Sequence, residues 1–341
     1  MKILIIGPSW VGDMVMSQSL YITLKQKYPE ALIDVLAPAW CKPILERMPE
    51  VHQAIEMPLG HGDFNFLGRR ALGKELKHQF YTHAFILPNS AKSALIPWFA
   101  GIPVRVGWKG EMRYGLLTDL RNNKKDFQYM VERYVALAYP KSEMINSSSL
   151  GGLDNLPRPK LHIDSFTQKQ TIEKFELDMS RQVVGLCPGA EFGPAKQWPA
   201  EHYAEVANTL ITQGKQIWIF GSQKDRPTAE QIKSLVKQEN QVHVQILAGQ
   251  TTLIEAVDLL GACHTVISND SGLMHVAAAV GANVVGIYGS TSPQYTPPLA
   301  EKVSIVHTDI ECRPCFKREC PLGHLKCLKE LAPSEVLKQI N

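Results

Sequence analysis

Short apolar segments alternate with amphipathic segments along most of this chain, and this alternation constrains the fold more than any other feature of the sequence. In the first half the predicted strands are KILIIG, ALIDVLAP, VHQAIEMP and HAFILPN. The predicted helices are DMVMSQSLYITLKQKYP, which ends at Pro29, and FNFLGRRALGKELKHQF. Strands that alternate with helices form a parallel sheet covered by helices on both faces.

The alternation stops once, between Lys141 and Pro159, where Ser, Gly, Asn and Pro dominate, as in a linker or exposed loop. It then resumes with the strands QVVGLCPGA, KQIWIFGS, VHVQILAG, HTVISND and NVVGIYGS, and the helices PAEHYAEVANTLITQG, RPTAEQIKSLVKQ, TTLIEAVDLLGAC and SGLMHVAAAVG. The sequence therefore predicts two doubly wound α/β domains in tandem, residues 1–165 and 166–341, with a cleft between them. Ligands are expected in the loops that follow the strands.

The composition agrees with two globular domains. The chain has 341 residues, of which 45% are apolar and 20% charged. No apolar run reaches the ~18 residues of a membrane span, and the N-terminus lacks the features of a signal peptide, so a cytoplasmic location is expected. A net charge of +3 is too small to indicate nucleic acid binding.

Positive charge is concentrated between Leu59 and Arg113, where eight Lys and Arg residues accompany three acids. Such an excess favours an anionic partner or a membrane surface. The alternative is an ordinary solvated helix face.

The loop GPSWVGDMVMSQ follows the first strand and resembles a phosphate-binding loop only superficially. Gly7 and Gly12 do not form G-x-G-x-x-G, and Gly12 is followed by Asp13 instead of the lysine of a Walker A motif. A carboxylate at a helix start can be an N-cap, and from this loop alone that role is favoured. The functional alternative is a general base.

Two loops in the second half are candidates for a nucleotide-diphosphate site. In CPGAEFGPAKQWP, Lys196 stands just before a predicted helix, although it could equally be a surface lysine. In SNDSGLMHVAAAVG, Ser271 and Gly272 open a helix, and Asp270 or His275 could bind sugar hydroxyls; His275 could also be a core residue. The sequence has no D-x-D pair for a divalent metal, so Lys196 and helix dipoles would have to neutralise the diphosphate.

Four cysteines near the C-terminus have the spacing C-x2-C-x4-C-x6-C, and His324 lies among them: Cys312, Cys315, Cys320 and Cys327. The spacing is compatible with a zinc or iron–sulfur site. Because only one C-x2-C pair is present, four reduced thiols are favoured.

Nine motifs occur in order between residue 1 and about residue 298: GPSWVGDMVMSQSLY, APAWC, MPLGHG, LPNSAKSAL, GWKGEMRYGLL, MVERY, CPGAEFGPAKQWP, FGSQKD and NDSGLMHVAAA. Together they resemble the ADP-heptose:lipopolysaccharide heptosyltransferases of glycosyltransferase family nine, in their class II. The resemblance implies a GT-B architecture, in which two Rossmann-like domains face across a cleft. The N-terminal domain would take the acceptor, and the C-terminal domain the nucleotide sugar. The cysteines depart from the pattern and are not expected to be catalytic.

The resemblance also implies a reaction and the residues that perform it. Heptose would pass from ADP-heptose to the first heptose of the inner core, by an inverting, metal-independent α-1,3 transfer with Asp13 as the base. No cofactor is expected. The expected donor-binding residues are Lys196, Asp270, Ser271, Gly272, His275, Thr251 near adenine, and Gln223 or Lys224 near the ribose.

The implied acceptor, heptosyl-Kdo2-lipid A, is an anionic lipid. Arg69, Arg70, Lys74 and Lys77 are therefore expected to contact it, with the protein peripherally attached to the inner face of the inner membrane. The alternatives are another heptosyltransferase of the family, a GT-B nucleotide-sugar epimerase, and a sugar-nucleotide binding protein. A nicotinamide dehydrogenase is disfavoured because G-x-G-x-x-G is absent from both halves.

Overall fold

The computed structural model describes residues 1–60 and 62–340, which divide into two compact units. Unit 1 covers Met1–Pro159, and unit 2 begins at Lys160. This division falls before the predicted 165/166 boundary because Leu161 N already donates a hydrogen bond to Ala279 O in unit 2, at 2.9 Å. His61, in the MPLGHG motif, and Asn341, the end of the second predicted domain, lie outside the described residues.

Among its described residues, unit 1 contains five α-helices and a parallel sheet of six strands. The strands are β1 Lys2–Ile6, β2 Leu32–Ala37, β3 Val51–Glu56, β4 His83–Ile86, β5 Val104–Trp108 and β6 Asp119–Arg121. The helices are α1 Val11–Lys27, α2 Lys42–Leu45, α3 Phe66–Leu76, α4 Ala91–Phe99 and α5 Met130–Val135. The strand order is β3-β2-β1-β4-β5-β6, so the order reverses between β1 and β4.

Unit 2 repeats this arrangement with a second parallel sheet of six strands. The strands are β7 Val183–Cys187, β8 Gln216–Ile219, β9 Val244–Ile246, β10 Thr265–Asn269, β11 Asn283–Ile287 and β12 Val303–Val306. The helices are α6 Ser165–Lys174, α7 Ala200–Thr212, α8 Arg226–Leu235, α9 Leu253–Gly261, α10 Gly272–Ala279, α11 Lys326–Lys329 and α12 Pro333–Leu337. The order is β12-β11-β10-β7-β8-β9, with its reversal between β7 and β10.

The predicted strands and helices are confirmed, and most of the predicted strands are buried as parallel sheets require. Ile3 to Ile6 in β1 are all at most 2% exposed, and every residue of β7 is buried, whereas β3 at the sheet edge has no buried residue. Strands β5, β6 and β12 and several helices, most of them short, were not predicted from the sequence. In doubly wound sheets, ligands bind beyond the carboxyl ends of strands at the point of reversal. Those loops follow β1 and β4 in unit 1, and β7 and β10 in unit 2.

The Ser- and Gly-rich segment between Lys141 and Pro159 folds back onto unit 1. The Asn123 side chain donates hydrogen bonds to Met144 O at 2.9 Å and to Ile145 O at 2.7 Å. The segment is thus a loop fixed by hydrogen bonds. In the part of the chain that the structure describes, no helix has the length and apolarity needed to cross a bilayer.

Candidate active-site loops

A buried ion pair joins the two loops at the strand reversal of unit 2. Lys196 Nζ lies 2.6 Å from Asp270 Oδ2, and the two side chains are only 13% and 4% exposed. The Thr291 hydroxyl donates to the same carboxylate oxygen at 2.5 Å. The structure therefore brings together two predicted site residues and adds Thr291, which the sequence analysis missed.

The loop after β7 places Lys196 by close backbone packing. Gly193 has a φ of +149°, and a Cβ at this position would lie 2.5 Å from Arg318 O. Ala195 N donates to the same carbonyl oxygen at 3.0 Å. The Lys196 ammonium also lies 4.9 Å from the centre of the Phe192 ring. A side chain at Gly193 would push this loop away from its support.

The end of β10 is tied to the β7 loop by the buried side chain of Asn269. Its Oδ1 accepts hydrogen bonds from Trp198 N at 3.2 Å and from the Tyr203 hydroxyl at 3.0 Å. Its Nδ2 donates to Pro188 O at 2.6 Å. Asn269 lies in the quoted motif, yet the sequence analysis gave it no role because an amide at a strand end carries no distinctive signal.

Ser271 is the N-cap of α10, and Gly272 is the first residue of that helix. Within the described chain, the Ser271 side chain makes no capping hydrogen bond to α10. The first N–H groups of a helix have no partner inside the helix, so they suit an anion. Donation of these N–H groups to a diphosphate stays a prediction.

His275 lies inside α10 and is only 5% exposed. Burial lowers the pKa of His275 to about 4; the positive charge of Lys196 lowers it as well, whereas Asp270 raises it. The imidazole is therefore neutral at pH 7. It can exchange hydrogen bonds with a polar group, but it adds no positive charge for a diphosphate.

The loops after β8 and β9 bring Gln223 next to the segment before Thr251. A Cβ at Gly249, whose φ is +72°, would lie 2.2 Å from Gln223 Oε1. The Thr251 hydroxyl donates to Leu247 O at 3.4 Å, and Thr252 is the N-cap of α9. The alternative ribose residue, Lys224, instead forms an exposed ion pair with Glu191 at 2.9 Å.

Asp13 lies in the first turn of α1, after the N-cap. The N-cap is Trp10, and Met14 N donates to Trp10 O at 2.8 Å. The interpretation of Asp13 as an N-cap is therefore wrong, because Asp13 lies inside the helix, after the capping residue. The partly buried Asp13 carboxylate accepts a hydrogen bond from the Tyr134 hydroxyl at 3.1 Å, which orients one of its oxygens.

Lys124 and Cys41 lie within electrostatic range of this carboxylate. Burial lowers the pKa of Lys124, the positive charges of Arg133 and Arg113 lower it further, and the negative charge of Asp13 raises it. Burial, and then the charge of Asp13, raise the pKa of the Cys41 thiol to about 12. Asp13 thus lies close enough to one basic side chain and one thiol to change their pKa values.

The predicted acceptor residues on α3 differ in exposure. Arg70, Lys74 and Lys77 are exposed. Arg69 is 5% exposed, and its guanidinium donates to Phe64 O at 2.7 Å and to Asp63 O at 2.8 Å. Burial lowers the pKa of Arg69. Its charge therefore stabilises the loop before α3 and is not presented at the surface.

The C-terminal segment contacts the loop after β11, which carries Thr291. Arg313 donates to Gly289 O at 3.0 Å and to Thr291 O at 3.1 Å. Phe316 N donates to Ser290 O at 2.7 Å. The sequence analysis missed Arg313 because only the fold places it beside the loop after β11.

The four clustered cysteines are free thiols, and with His324 they line one small cavity next to Ala195 and Ser290. Across residues 1–60 and 62–340, no three His, Cys, Asp or Glu side chains are arranged so that they could hold a metal ion.

Comparisons with known proteins agree on one family. The sequence profile of glycosyltransferase family 9 (heptosyltransferase) matches residues 69–326. The chain is 49% identical to lipopolysaccharide heptosyltransferase 2 of Escherichia coli strain K12, over 100% of this chain and 98% of the relative. It is 51% identical to lipooligosaccharide heptosyltransferase 2 of Haemophilus influenzae, over 100% and 99%.

Solved structures show the same relationship. The structure of E. coli ADP-heptose lps heptosyltransferase II is 48% identical, with a TM-score of 0.89 over 100% of this chain and 98% of that one. The structure of E. coli heptosyltransferase WaaC with ADP has a TM-score of 0.69 at 20% identity, over 100% and 99%, and supports the fold alone.

The buried His275 predicts a specific pH dependence of stability. Its pKa is about 4 in the folded chain, against an ordinary 6.5, so the unfolded state binds more protons between these values. Stability should fall as pH decreases from 6.5 to 4, by ~3 kcal/mol at most. Denaturant unfolding at pH 7 and pH 4.5 measures this loss of stability. The native protein should show it, and the His275→Gln variant should not. The exposed His162→Gln is the control, and an unchanged pH dependence in His275→Gln would contradict the assignment.

Proposed function

This chain belongs to glycosyltransferase family 9, the heptosyltransferases, and on that premise we propose that it is a class II enzyme. It transfers L-glycero-D-manno-heptose from ADP-heptose to the first heptose of the lipopolysaccharide inner core, through an α-1,3 bond. The observation that carries this proposal is the full-length identity of about half to heptosyltransferases 2. Site geometry supports it, since Lys196, Asp270 and Asp13 all lie at strand reversals.

The donor diphosphate binds Lys196 and the first N–H groups of α10, contributed by Ser271 and Gly272. An ammonium has three N–H donors, and the hydrogen bonds from Lys196 to Asp270 Oδ2 and to Asp270 O engage two of them. The third donates to the diphosphate. Positive charge and a helix N-terminus at one position are the combination that phosphate groups require.

Asp270 and His275 receive the heptose. The Asp270 carboxylate is fixed by Lys196 and Thr291, so it accepts a hydrogen bond from a sugar hydroxyl without reorientation. The neutral His275 exchanges hydrogen bonds with a second polar group of the sugar. Adenine contacts the backbone near Thr251, and the ribose contacts Gln223, which lies in the adjoining loop.

Asp13 is the general base of the transfer. It removes the proton of the acceptor hydroxyl as that oxygen attacks the anomeric carbon, on the face opposite the departing ADP. The anomeric configuration is thereby inverted. The hydrogen bond from Tyr134 orients the carboxylate for this role. Lys196 and the N-terminus of α10 stabilise the charge on the leaving ADP, which makes the transfer independent of metal.

The acceptor is a lipid whose Kdo and phosphate groups are anionic. Arg70, Lys74 and Lys77, all exposed on α3, contact these groups, while Arg69 supports the loop beneath them. The reaction then takes place at the cytoplasmic face of the inner membrane, where the enzyme is peripherally attached.

The central experiment measures ADP release from ADP-heptose with three additions: no acceptor, Kdo2-lipid A, and heptosyl-Kdo2-lipid A. Release should depend on the heptosylated acceptor and should persist with EDTA. Release with Kdo2-lipid A alone would indicate another heptosyltransferase activity. Conversion of the donor without acceptor would indicate an epimerase, and strict magnesium dependence would refute the metal-free mechanism.

Asp13→Asn tests the general base. The amide keeps the size of the side chain and can still accept a hydrogen bond from Tyr134, so folding and ADP binding should persist. Turnover should decrease ~10²–10⁴-fold, because proton removal is lost. Asp154→Asn, at a side chain that is 99% exposed, is the matched control. Near-normal turnover of Asp13→Asn would remove Asp13 from the mechanism.

Lys196→Ala and Lys196→Arg test the support of the diphosphate. Alanine removes the charge and should decrease kcat/KM ~10²-fold, which corresponds to roughly 3 kcal/mol of transition-state stabilisation. Arginine keeps the charge and should lose less. The kcat/KM of each variant is measured by steady-state kinetics at limiting donor. Circular dichroism verifies folding, and Lys169→Ala is the surface control. Equal activity of the alanine variant and the native enzyme would exclude the assignment.

A further inference from the structure

Four apolar side chains are exposed together where α3 begins and α4 ends. Phe64, Phe66, Leu67 and Trp98 are 60%, 44%, 74% and 45% exposed, respectively. The rings form a continuous series through the half-buried Phe99. Ring centres are 6.2 Å apart for Phe64 and Phe66, 5.4 Å for Phe66 and Phe99, and 4.8 Å for Phe99 and Trp98. We call these four exposed side chains the aromatic patch.

The backbone beneath the aromatic patch is fixed in place. The buried Arg69 guanidinium binds the carbonyl oxygens of Asp63 and Phe64. Asn65 adopts a left-handed conformation with a φ of 30° and caps α3 by accepting a hydrogen bond from Gly68 N at 3.0 Å. These bonds keep the rings of the loop directed outwards, although exposed apolar surface is costly in water.

Glycine allows α3 and α4 to pack closely beneath the same surface. A Cβ at Gly73 would lie 2.5 Å from Phe99 Cβ and 2.7 Å from Ile96 O. Only a residue without a side chain permits this approach. The two helices therefore present Phe66 and Trp98 on one rigid surface.

Cations continue this surface along α3. Leu67, Arg70, Lys74 and Lys77 are spaced three, four and three residues apart, which places them on one side of a helix. All four are exposed, and Glu75 is the only acid in the sequence of α3. Aromatic and aliphatic side chains are therefore exposed where α3 begins, and positively charged side chains follow them along the helix.

We propose that the aromatic patch, Arg70 and Lys74 of α3, and Lys77 directly after α3 dock unit 1 onto an anionic lipid bilayer. Phe, Trp and Leu side chains enter the boundary between headgroups and acyl chains, while Lys and Arg pair with lipid phosphates. Three exposed cations against the single acid Glu75 are what select an anionic lipid surface over an apolar protein groove. This inference rests on the proposed function only in the choice of membrane, because the acceptor there is an anionic lipid.

Vesicle flotation with the full chain tests the proposal. The vesicles are phosphatidylethanolamine with phosphatidylglycerol, or phosphatidylcholine alone. The native protein should bind the anionic vesicles, more weakly as salt increases, because exposed charges are screened. Phe64→Ser with Leu67→Ser should decrease the partition coefficient at least tenfold. Arg70→Gln with Lys74→Gln and Lys77→Gln should abolish the preference for anionic lipid.

A matched control removes the same chemistry from unit 2. Phe166→Ser with Lys169→Gln eliminates an aromatic side chain that is 68% exposed and an amine that is 79% exposed. This variant should bind vesicles like the native protein. The proposal is overturned if native protein fails to bind anionic vesicles, or if the aromatic and cationic variants bind as well as the control.

Activity measurements separate this proposal from the proposed function. The Phe64→Ser, Leu67→Ser variant should retain native turnover with a deacylated, water-soluble acceptor and should lose turnover with acceptor embedded in vesicles. Equal losses with both acceptors would overturn docking by the aromatic patch. If vesicle binding behaves as expected while no acceptor supports ADP release, the proposed function fails and the docking surface stands.

Discussion

The ion pair between Lys196 and Asp270 holds together the loops at the strand reversal of unit 2, where we propose that the nucleotide sugar binds. Removing two charges from water is costly, and a mutual bond of 2.6 Å together with the Thr291 hydroxyl offsets that cost. The pair fixes the loop after β7 against the loop after β10. The Asp270 carboxylate does not prevent Lys196 from binding a phosphate group as well, because an ammonium can donate to more than one acceptor. The local charge is nearly balanced, which avoids an uncompensated buried cation.

The same region depends on a segment far along the chain. Arg313 and Arg318 lie in the cysteine-containing tail, yet Arg313 binds the carbonyl oxygens of Gly289 and Thr291, and Arg318 supplies the carbonyl that accepts from Ala195. The tail thus supports the loop after β7, which carries Lys196, and the loop after β11, which carries Thr291.

In unit 1, the number of Lys and Arg residues in the sequence overestimates the positive charge at the surface. Arg113 is fully buried; it donates to the carbonyl oxygens of Pro88 and Trp108, and burial lowers its pKa to about 10. Arg69 has a similar structural role before α3. Arg70, Lys74 and Lys77 remain exposed along α3 and the turn after it, close to aromatic side chains, whereas the exposed Lys109 follows β5. The distribution of charge between interior and surface thus follows from loop geometry, since carbonyl oxygens without strand partners attract guanidinium groups.

The sequence by itself determined nine of the twelve strands named above, because most strands of a parallel sheet are buried and leave an apolar pattern that local inspection detects. It also placed Lys196 and Asp270 in loops after strands and Asp13 at the start of a helix. Their partners were decided only by the tertiary structure. The capping role favoured for Asp13 failed because helix α1 starts at Val11 and the cap is Trp10. Similarly, the contact between Asp270 and Thr291 depends on the order of strands in the sheet, which brings distant loops together and leaves no signal in any short stretch of sequence.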